Sequence, residues 1–496
     1  MPAPYTPFLQ VPTAYTPCPD AFQAVLKKAG RNIVKIAVIG DSQETQYGGS
    51  GGAYLPALNY EFALRYGNAP CSTIGDGNYG GYGTAGIDLG CKWLRTGRNP
   101  LSGGAAFMPT AKILPNLDVT AINTNAHYQS GKLIALNDKM SAALHPQHRY
   151  VNFFDASQGV QLELFLGTRP DAAPITLGTA YNANWSHSFT LNDAIANINP
   201  GLVAPLSSIV KYRSPTMAGP SSSQYLYTGT RLTNAGTAAV DLIDGRFYTS
   251  NPNKQYGVVV DNFGFGGYTA QAWYDAFKGA GEMLNAVGPY DMVILHFGAN
   301  DSTGTVQQHE DGLRALIGFV RTSLRDQTVP IVICSDGYRQ HSSTPIRDVY
   351  QTFPGVGLSL AQELDNVMVV NLQRMTEQAG IVDAAENETL YTSRGAWSSA
   401  SVAYSVNDWV TVNPLSWLPN SGTSWVCIEA HTSNGTNNGP GMDRYWRPLK
   451  RYLSDGVHLS LNGQALAAKM FVAALYQAAF LPDAIQPGLP EVRRRR

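Results

Sequence analysis

Ile33-Val34-Lys35-Ile36-Ala37-Val38-Ile39-Gly40-Asp41-Ser42 is the stretch that decides the fold. A short, β-branched apolar run ends at a glycine, and turn residues follow at once. Such a run, without polar alternation, reads as a strand buried on both faces. In an open parallel sheet, sites form in the crevice beyond the carboxyl ends of the strands. Gly40-Asp41-Ser42 falls at that place. Alone, the tripeptide is equally a plain strand-ending turn, with Ser42 as the cap of a helix.

Outward from this strand the same alternation recurs. A helix is expected at residues 20–28 and a helical stretch at 53–66. Strands are expected at 256–260, 291–297, 329–334 and 367–370, with helices at 270–286, 307–325 and 461–479. Strands alternating with helices at this spacing imply a parallel sheet covered on both faces. Two stretches break the pattern. Residues 70–255 are rich in Gly, Asn, Thr, Ser and Pro, with short alternating runs such as Val160-Gln161-Leu162-Glu163-Leu164-Phe165-Leu166. They read as a β-sandwich-like segment, although 101–145 also admits helix. Residues 387–448 are dense in Trp, Ser, Asn and Thr. The expected division is an α/β domain in three parts, 1–84, 255–386 and 450–496. It is interrupted by β-rich insertions at 85–254 and 387–449.

Composition narrows the functional classes. The chain has 496 residues, 44% hydrophobic and 14% charged, which suits packed cores rather than disorder. A formal net charge of -1 supplies no field to recruit nucleic acid or an anionic membrane. The basic run Arg493 to Arg496 reads as a solvated tail. The opening residues have no basic segment followed by an apolar one, so a secretory signal is not expected, and no apolar window is long enough for a membrane span. The five cysteines, Cys18, Cys71, Cys91, Cys334 and Cys427, form no CxxC pair. Cys334, within an apolar run, reads as a small core residue.

Three further segments carry groups suited to catalysis. Asp455-Gly456-Val457-His458 precedes the last helix. A serine hydroxyl needs a base, histidine titrates near neutrality, and a carboxylate three residues away can orient the imidazole. Gly298-Ala299-Asn300-Asp301 follows an expected strand, and an asparagine amide can donate to a developing oxyanion. Phe263-Gly264-Phe265-Gly266-Gly267-Tyr268-Thr269 precedes a helix, and glycine there lets a backbone N–H approach a substrate. Each segment alone is also an ordinary turn. Other candidates lack such context. Asp336 and His341 could mimic a dyad, His296 reads as a core histidine, and His145 and His148 have metal-like spacing without a third ligand.

The four segments, in this order, resemble the sequence blocks of the SGNH (GDSL-like) hydrolases. Gly40-Asp41-Ser42 is similar to the first block, Gly267 to the glycine of the second, Gly298–Asp301 to the third and Asp455–His458 to the last. The resemblance covers roughly residues 30–85, 255–385 and 450–480. It implies a flavodoxin-like α/β/α sandwich. It implies Ser42 as nucleophile, His458 as general acid/base and Asp455 as the residue that orients His458. The oxyanion hole would be the N–H groups of Ser42 and Gly267 with the side chain of Asn300. No cofactor or metal is implied. The tail Gln43-Glu44-Thr45 departs from the commoner continuation of the first block.

The second insertion holds Tyr404-Ser405-Val406-Asn407-Asp408-Trp409-Val410, then Trp425-Val426-Cys427, then Trp446. This resembles the small carbohydrate-binding modules of chitinases, which also recur in phage tail proteins. Asn407 stands where that motif has glycine, and Trp425 where it has a second tyrosine. The resemblance implies sugar contacts by Trp409, Trp425 and Trp446, although the same rings could instead build the core of so small a module. The expectation is therefore a serine esterase that removes O-acetyl groups from a polysaccharide. It would bind neither nucleic acid nor membrane, and a homo-oligomer or assembly into a phage virion would suit it. The alternatives are a glycan-binding or virion structural protein on a hydrolase scaffold, and a lipase or thioesterase of the same fold.

Overall fold

The structure is a computed structural model. It describes residues 20–41, 43–44, 58, 61–62, 65–66, 214–216, 256–264, 267–278, 281, 284–285, 288–335, 344–378, 392–412, 423–434, 438–440, 442, 444–449, 459 and 461–480, together with eleven strands between residues 71 and 249. Helix α1 (Asp20–Ala29) leads into β1 (Ile33–Gly40). Eleven strands follow, from β2 (Cys71–Asp76) to β12 (Val240–Thr249). The chain then runs through β13 (Gly257–Asn262), α2 (Ala270–Phe277), β14 (Met292–Phe297), α3 (Val306–Leu324), β15 (Ile331–Ser335), α4 (Thr344–Glu363), β16 (Val367–Asn371) and α5 (Leu372–Gln378). Six short strands, β17 (Thr392–Ala396) to β22 (Trp446–Leu449), precede the last helix, α6 (Leu461–Phe480).

Five strands form one parallel sheet in the order β13-β1-β14-β15-β16. This is the flavodoxin-like order, in which the chain reverses direction across the sheet next to β1 and opens a crevice at the strand ends. Side chains alternate between faces with period two. Ala37, Ile39, Val293, Leu295, Ile331 and Val369 pack on one side with Trp273, Leu313, Leu316 and Leu360 from α2, α3 and α4. Val34, Ile36, Val38, Ile294 and Val332 pack on the other with Phe22, Leu26, Phe471 and Leu475 from α1 and α6. The result is the expected three-layer sandwich. Full burial of each such side chain contributes about 1.5–3 kcal/mol, so both faces of β1 must be covered for the sheet to hold.

Local chemistry sets the element ends. Asp291 pins the start of β14 to β1: its carboxylate accepts from Lys35 N (2.9 Å), and its own N–H donates to Lys35 O (2.8 Å). Helix α3 begins with a capping box, Thr305 accepting from Gln308 N while Gln308 Oε1 accepts from Thr305 N. It ends at Arg325 in the left-handed conformation. Over the expected helix 270–286, α2 covers Ala270–Phe277, and residues 281, 284 and 285 are helical as well.

The eleven strands between β1 and β13 form a second, antiparallel sheet. Its longest pairing joins β12 to Val160–Thr168, with an irregularity between Leu242 and Asp244. The sheet takes in Cys71–Asp76, ahead of the expected start at residue 85. Where 101–145 also admitted helix, the described segments are strands: Ala106–Pro109, Lys132–Leu136 and the start of Ser141–Pro146.

A four-stranded sheet, β17-β19-β20-β22, uses β19 (Asp408–Val412) and β20 (Thr423–Cys427), and a two-stranded pair joins Ala403–Tyr404 to His431–Thr432. Its core is Tyr404, Val410, Cys427 and Trp446, all buried. Asn407 has φ 71°, a left-handed conformation that asparagine tolerates in place of glycine. Asp408, buried, closes that turn by accepting from Ser405 N (2.9 Å).

Candidate active site

Three turns meet the carboxyl ends of β1, β13 and β14. The first follows Gly40, whose own position admits no side chain. A Cβ there would lie 2.6 Å from Glu44 Cγ and 2.8 Å from His296 O. Glu44 N–H donates to Asp41 O (3.2 Å), drawing the chain into a tight turn, and Gln43 N–H donates to Asp41 Oδ1 (2.9 Å). Asp41, Gln43 and Glu44 are all buried. Asp41 thus serves as an Asx-type brace of its own turn. Ser42 itself lies outside the described residues, as do Asp455 and His458.

The described neighbours of those three residues nevertheless make specific contacts. Gln43, next to Ser42 in the chain, accepts through Oε1 from the N–H of Leu459, next to His458 (3.3 Å). This bond is buried and spans 416 positions of sequence. Leu459 is held from its other side by Gln464 of α6, whose Nε2 donates to Leu459 O (3.1 Å). Glu44 contacts His296 through Nδ1, with both side chains enclosed. His296 is thus the core histidine expected, paired with an acid from the first turn.

The second and third turns are also joined. Gly267 is exposed, with φ 84°, a conformation open to glycine and costly for most other residues. Asn300 Nδ2 donates to Tyr268 O (3.2 Å), so its amide bridges to the residue after Gly267. An asparagine NH2 carries two hydrogens, so one remains for an oxyanion. Asp301 fastens the same two turns from below, accepting from Ala270 N (3.2 Å) and meeting His309 Nδ1 at 3.0 Å. The His309 ring stacks on Phe353 at 4.1 Å between centroids. The sequence of this turn points to Asn300 but not to the Asp301–His309 support. A histidine four residues into an amphipathic helix and facing its apolar side was the available signal.

Beside these turns lies a cleft of about 650 Å³ between α2 and α3. Its polar side chains are engaged locally. Thr269 caps α2, Gln308 caps α3, Gln271 donates to Asp275 (3.0 Å), and Gln307 Nε2 reaches Asp311 (2.9 Å). These bonds fix the helix starts that present Gly267 and Asn300. Among the described residues, no group of three or more His, Cys, Asp or Glu could hold a metal ion, and no helix is long and apolar enough to cross a membrane. Asp336, His341 and His148 lie outside the described residues, and Cys334 is a buried thiol outside any disulfide, donating to Ser335 O (3.5 Å).

The small module corrects the expectation for its tryptophans. Trp446 is fully buried, and its Nε1 donates to Asn438 O (2.8 Å), so its ring builds the core and offers no face to a sugar. Trp409 and Trp425 are half-buried. Trp425 pairs with Val410 and Trp409 with Val426, so the two rings project from opposite faces of the sheet and form no common platform.

No family model matches the chain, and no curated protein sequence is significantly similar to it. Solved structures are similar to it in fold. A peptidoglycan O-acetylesterase shares 13% identity with it at a TM-score of 0.50, over 94% of this chain and 99% of that one. A carbohydrate acetylesterase from Xanthomonas citri (11% identity, TM-score 0.22, 63% of this chain and 85% of that one) and a lipase/acylhydrolase from Enterococcus faecalis (17%, 0.23, 44% and 75%) are also found. The match over nearly the whole length of both chains shows a shared fold, a three-layer α/β sandwich.

Proposed function

We propose that the chain is a serine esterase that removes O-acetyl groups from a polysaccharide. The observation that carries this reading is the convergence of four distant segments. Gln43 is bonded to Leu459, so the residues flanking Ser42 and His458 meet, and Asn300 is bonded to Tyr268 at the neighbouring strand ends. A nucleophile, a base and preset donors at one crevice are the parts that acyl transfer needs.

In this mechanism Ser42 Oγ attacks the acetyl carbonyl while His458 takes its proton and Asp455 steadies the imidazolium. The N–H groups of Ser42 and Gly267, with Asn300 Nδ2, receive the oxyanion. Collapse breaks the ester C–O bond, and the sugar hydroxyl leaves with the proton from His458. Water, deprotonated by His458, then attacks the acetyl-enzyme and acetate departs, restoring Ser42. The fold shared with a peptidoglycan O-acetylesterase makes acetylated bacterial glycans the first polymers to offer. Assembly into a phage virion is the setting we propose for a tail-like module beside such an esterase.

The test is acetate release from O-acetylated glycans and from a short aryl acetate. Wild type should act on both, fail on long-chain acyl esters, and lose turnover by about 10⁴-fold or more in Ser42→Ala. Equal activity in Ser42→Ala would reject the assignment. Preference for long chains would point to a lipase, and inactivity on every ester to a binding protein.

A further inference from the structure

The tail of the first turn, Gln43-Glu44, is where this chain leaves the family pattern, and both side chains are buried among the site-bearing segments. Their directions differ. Glu44 reaches sideways to His296 on β14, the strand that ends just before Asn300. Gln43 reaches to Leu459, the residue after His458. The Glu44 contact fixes the turn to the sheet. What the Gln43 bond adds is the position of the other segment.

We infer that Gln43 is a positioning residue for the proposed reaction. Its side-chain oxygen, by accepting the Leu459 N–H, sets the segment carrying His458 against the turn carrying Ser42. The inference rests on the esterase reading above and deepens it.

Three observations support it. The bond is enclosed, with Gln43 at 5% and Leu459 at 7% exposure, so water is poorly placed to take the place of the acceptor. The peptide groups of Leu459 are gripped from two elements, its N–H by Gln43 and its carbonyl by Gln464, itself buried at the start of α6. An amide clamp on both sides fixes where the chain enters α6, and His458 is the residue before that point. The turn is braced internally by Asp41, which accepts from Gln43 N, and anchored to β14 through the Glu44–His296 contact, so it supplies a fixed end for the clamp. Proton transfer demands hydrogen-bond distance between base and hydroxyl, and a displacement of about 1 Å can cost about 10²-fold in rate.

The experiment compares wild type with Gln43→Met, which fills similar volume without an acceptor, and Gln43→Glu, which keeps an oxygen there. Steady-state kinetics on a short aryl acetate give kcat and KM, and hydrogen exchange reports the Leu459 amide. Gln43→Met should lose kcat by about 10- to 100-fold, with KM within about twofold and faster Leu459 exchange. Gln43→Glu should keep the amide protected and recover most of kcat. Wild-type kcat in Gln43→Met would overturn the inference. So would a kcat loss without faster exchange at Leu459, or an equal loss in Gln43→Glu. Failure of the esterase reading itself is separate: it appears as wild-type activity that survives Ser42→Ala, or as no activity at all. If Gln43→Met does not fold, Gln43→Glu alone decides, by retaining or losing both the protected amide and turnover.

Discussion

The five-stranded parallel sheet and the small four-stranded sheet both carry family-like motifs, and the motif residues do opposite jobs. In the parallel sheet the core is built from ordinary aliphatic residues of the strands, and the motif residues sit beyond it, on turns. Gly40, Asp41, Gly267 and Asn300 shape or bridge those turns rather than fill the interior. In the small sheet the motif is the interior. Tyr404, Val410, Cys427 and Trp446 form its buried core cluster among the described residues, and Asn407 and Asp408 make the turn that leads into Val410. A recurring motif in a large domain reports chemistry, because the fold can be held by many sequences. In a domain too small for a spare core, it reports packing first.

This contrast can be broken by substitution. Trp446→Ala should cost about 3–5 kcal/mol in the small module, read from denaturant unfolding, because it removes a fully buried indole from the core of a small sheet. Turnover of a short aryl acetate should be unchanged, since the reaction is assigned to the parallel sheet. Loss of that turnover in a folded variant would tie the module to the chemical step. Asn300→Ala should have the reverse signature. A lost oxyanion donor costs about 2.7–4 kcal/mol of transition-state stabilisation, about 10²- to 10³-fold in kcat, and the thermal midpoint should move little. A midpoint that falls along with kcat would mean that the Tyr268 bridge matters more than the oxyanion. The smallest effect concerns the half-buried rings. Trp409→Ala should weaken binding of an acetylated glycan by about threefold to tenfold, and Trp425→Ala should affect stability instead, because its ring leans on the core. Equal losses of affinity in both would contradict the opposite-face placement.

Much of this was legible from sequence. The apolar runs that became β1, β14, β15 and β16 are short, β-branched and uninterrupted, and a strand buried on both faces permits little else. The candidate site segments stood out because three of them follow expected strands and the last precedes the closing helix. The supports beneath them did not. Glu44 and His296 are far apart in sequence; Glu44 alone looks like one more polar residue of a turn and His296 like a solitary polar residue in an apolar strand, and only the parallel pairing of β1 and β14 brings them together. The same holds for Gln43 with Leu459. Burial of Trp446 was open from sequence, since aromatic rings that stack on sugars and rings that fill cores share the same composition.

The central claim is that Ser42 is a nucleophile activated by His458, and covalent trapping tests it most directly. Incubation with a fluorophosphonate, followed by peptide mass mapping, should place a single adduct on Ser42 in the wild type. Labelling should slow by orders of magnitude in His458→Ala. An adduct on another residue, or labelling of Ser42 at the same rate without His458, would contradict the account.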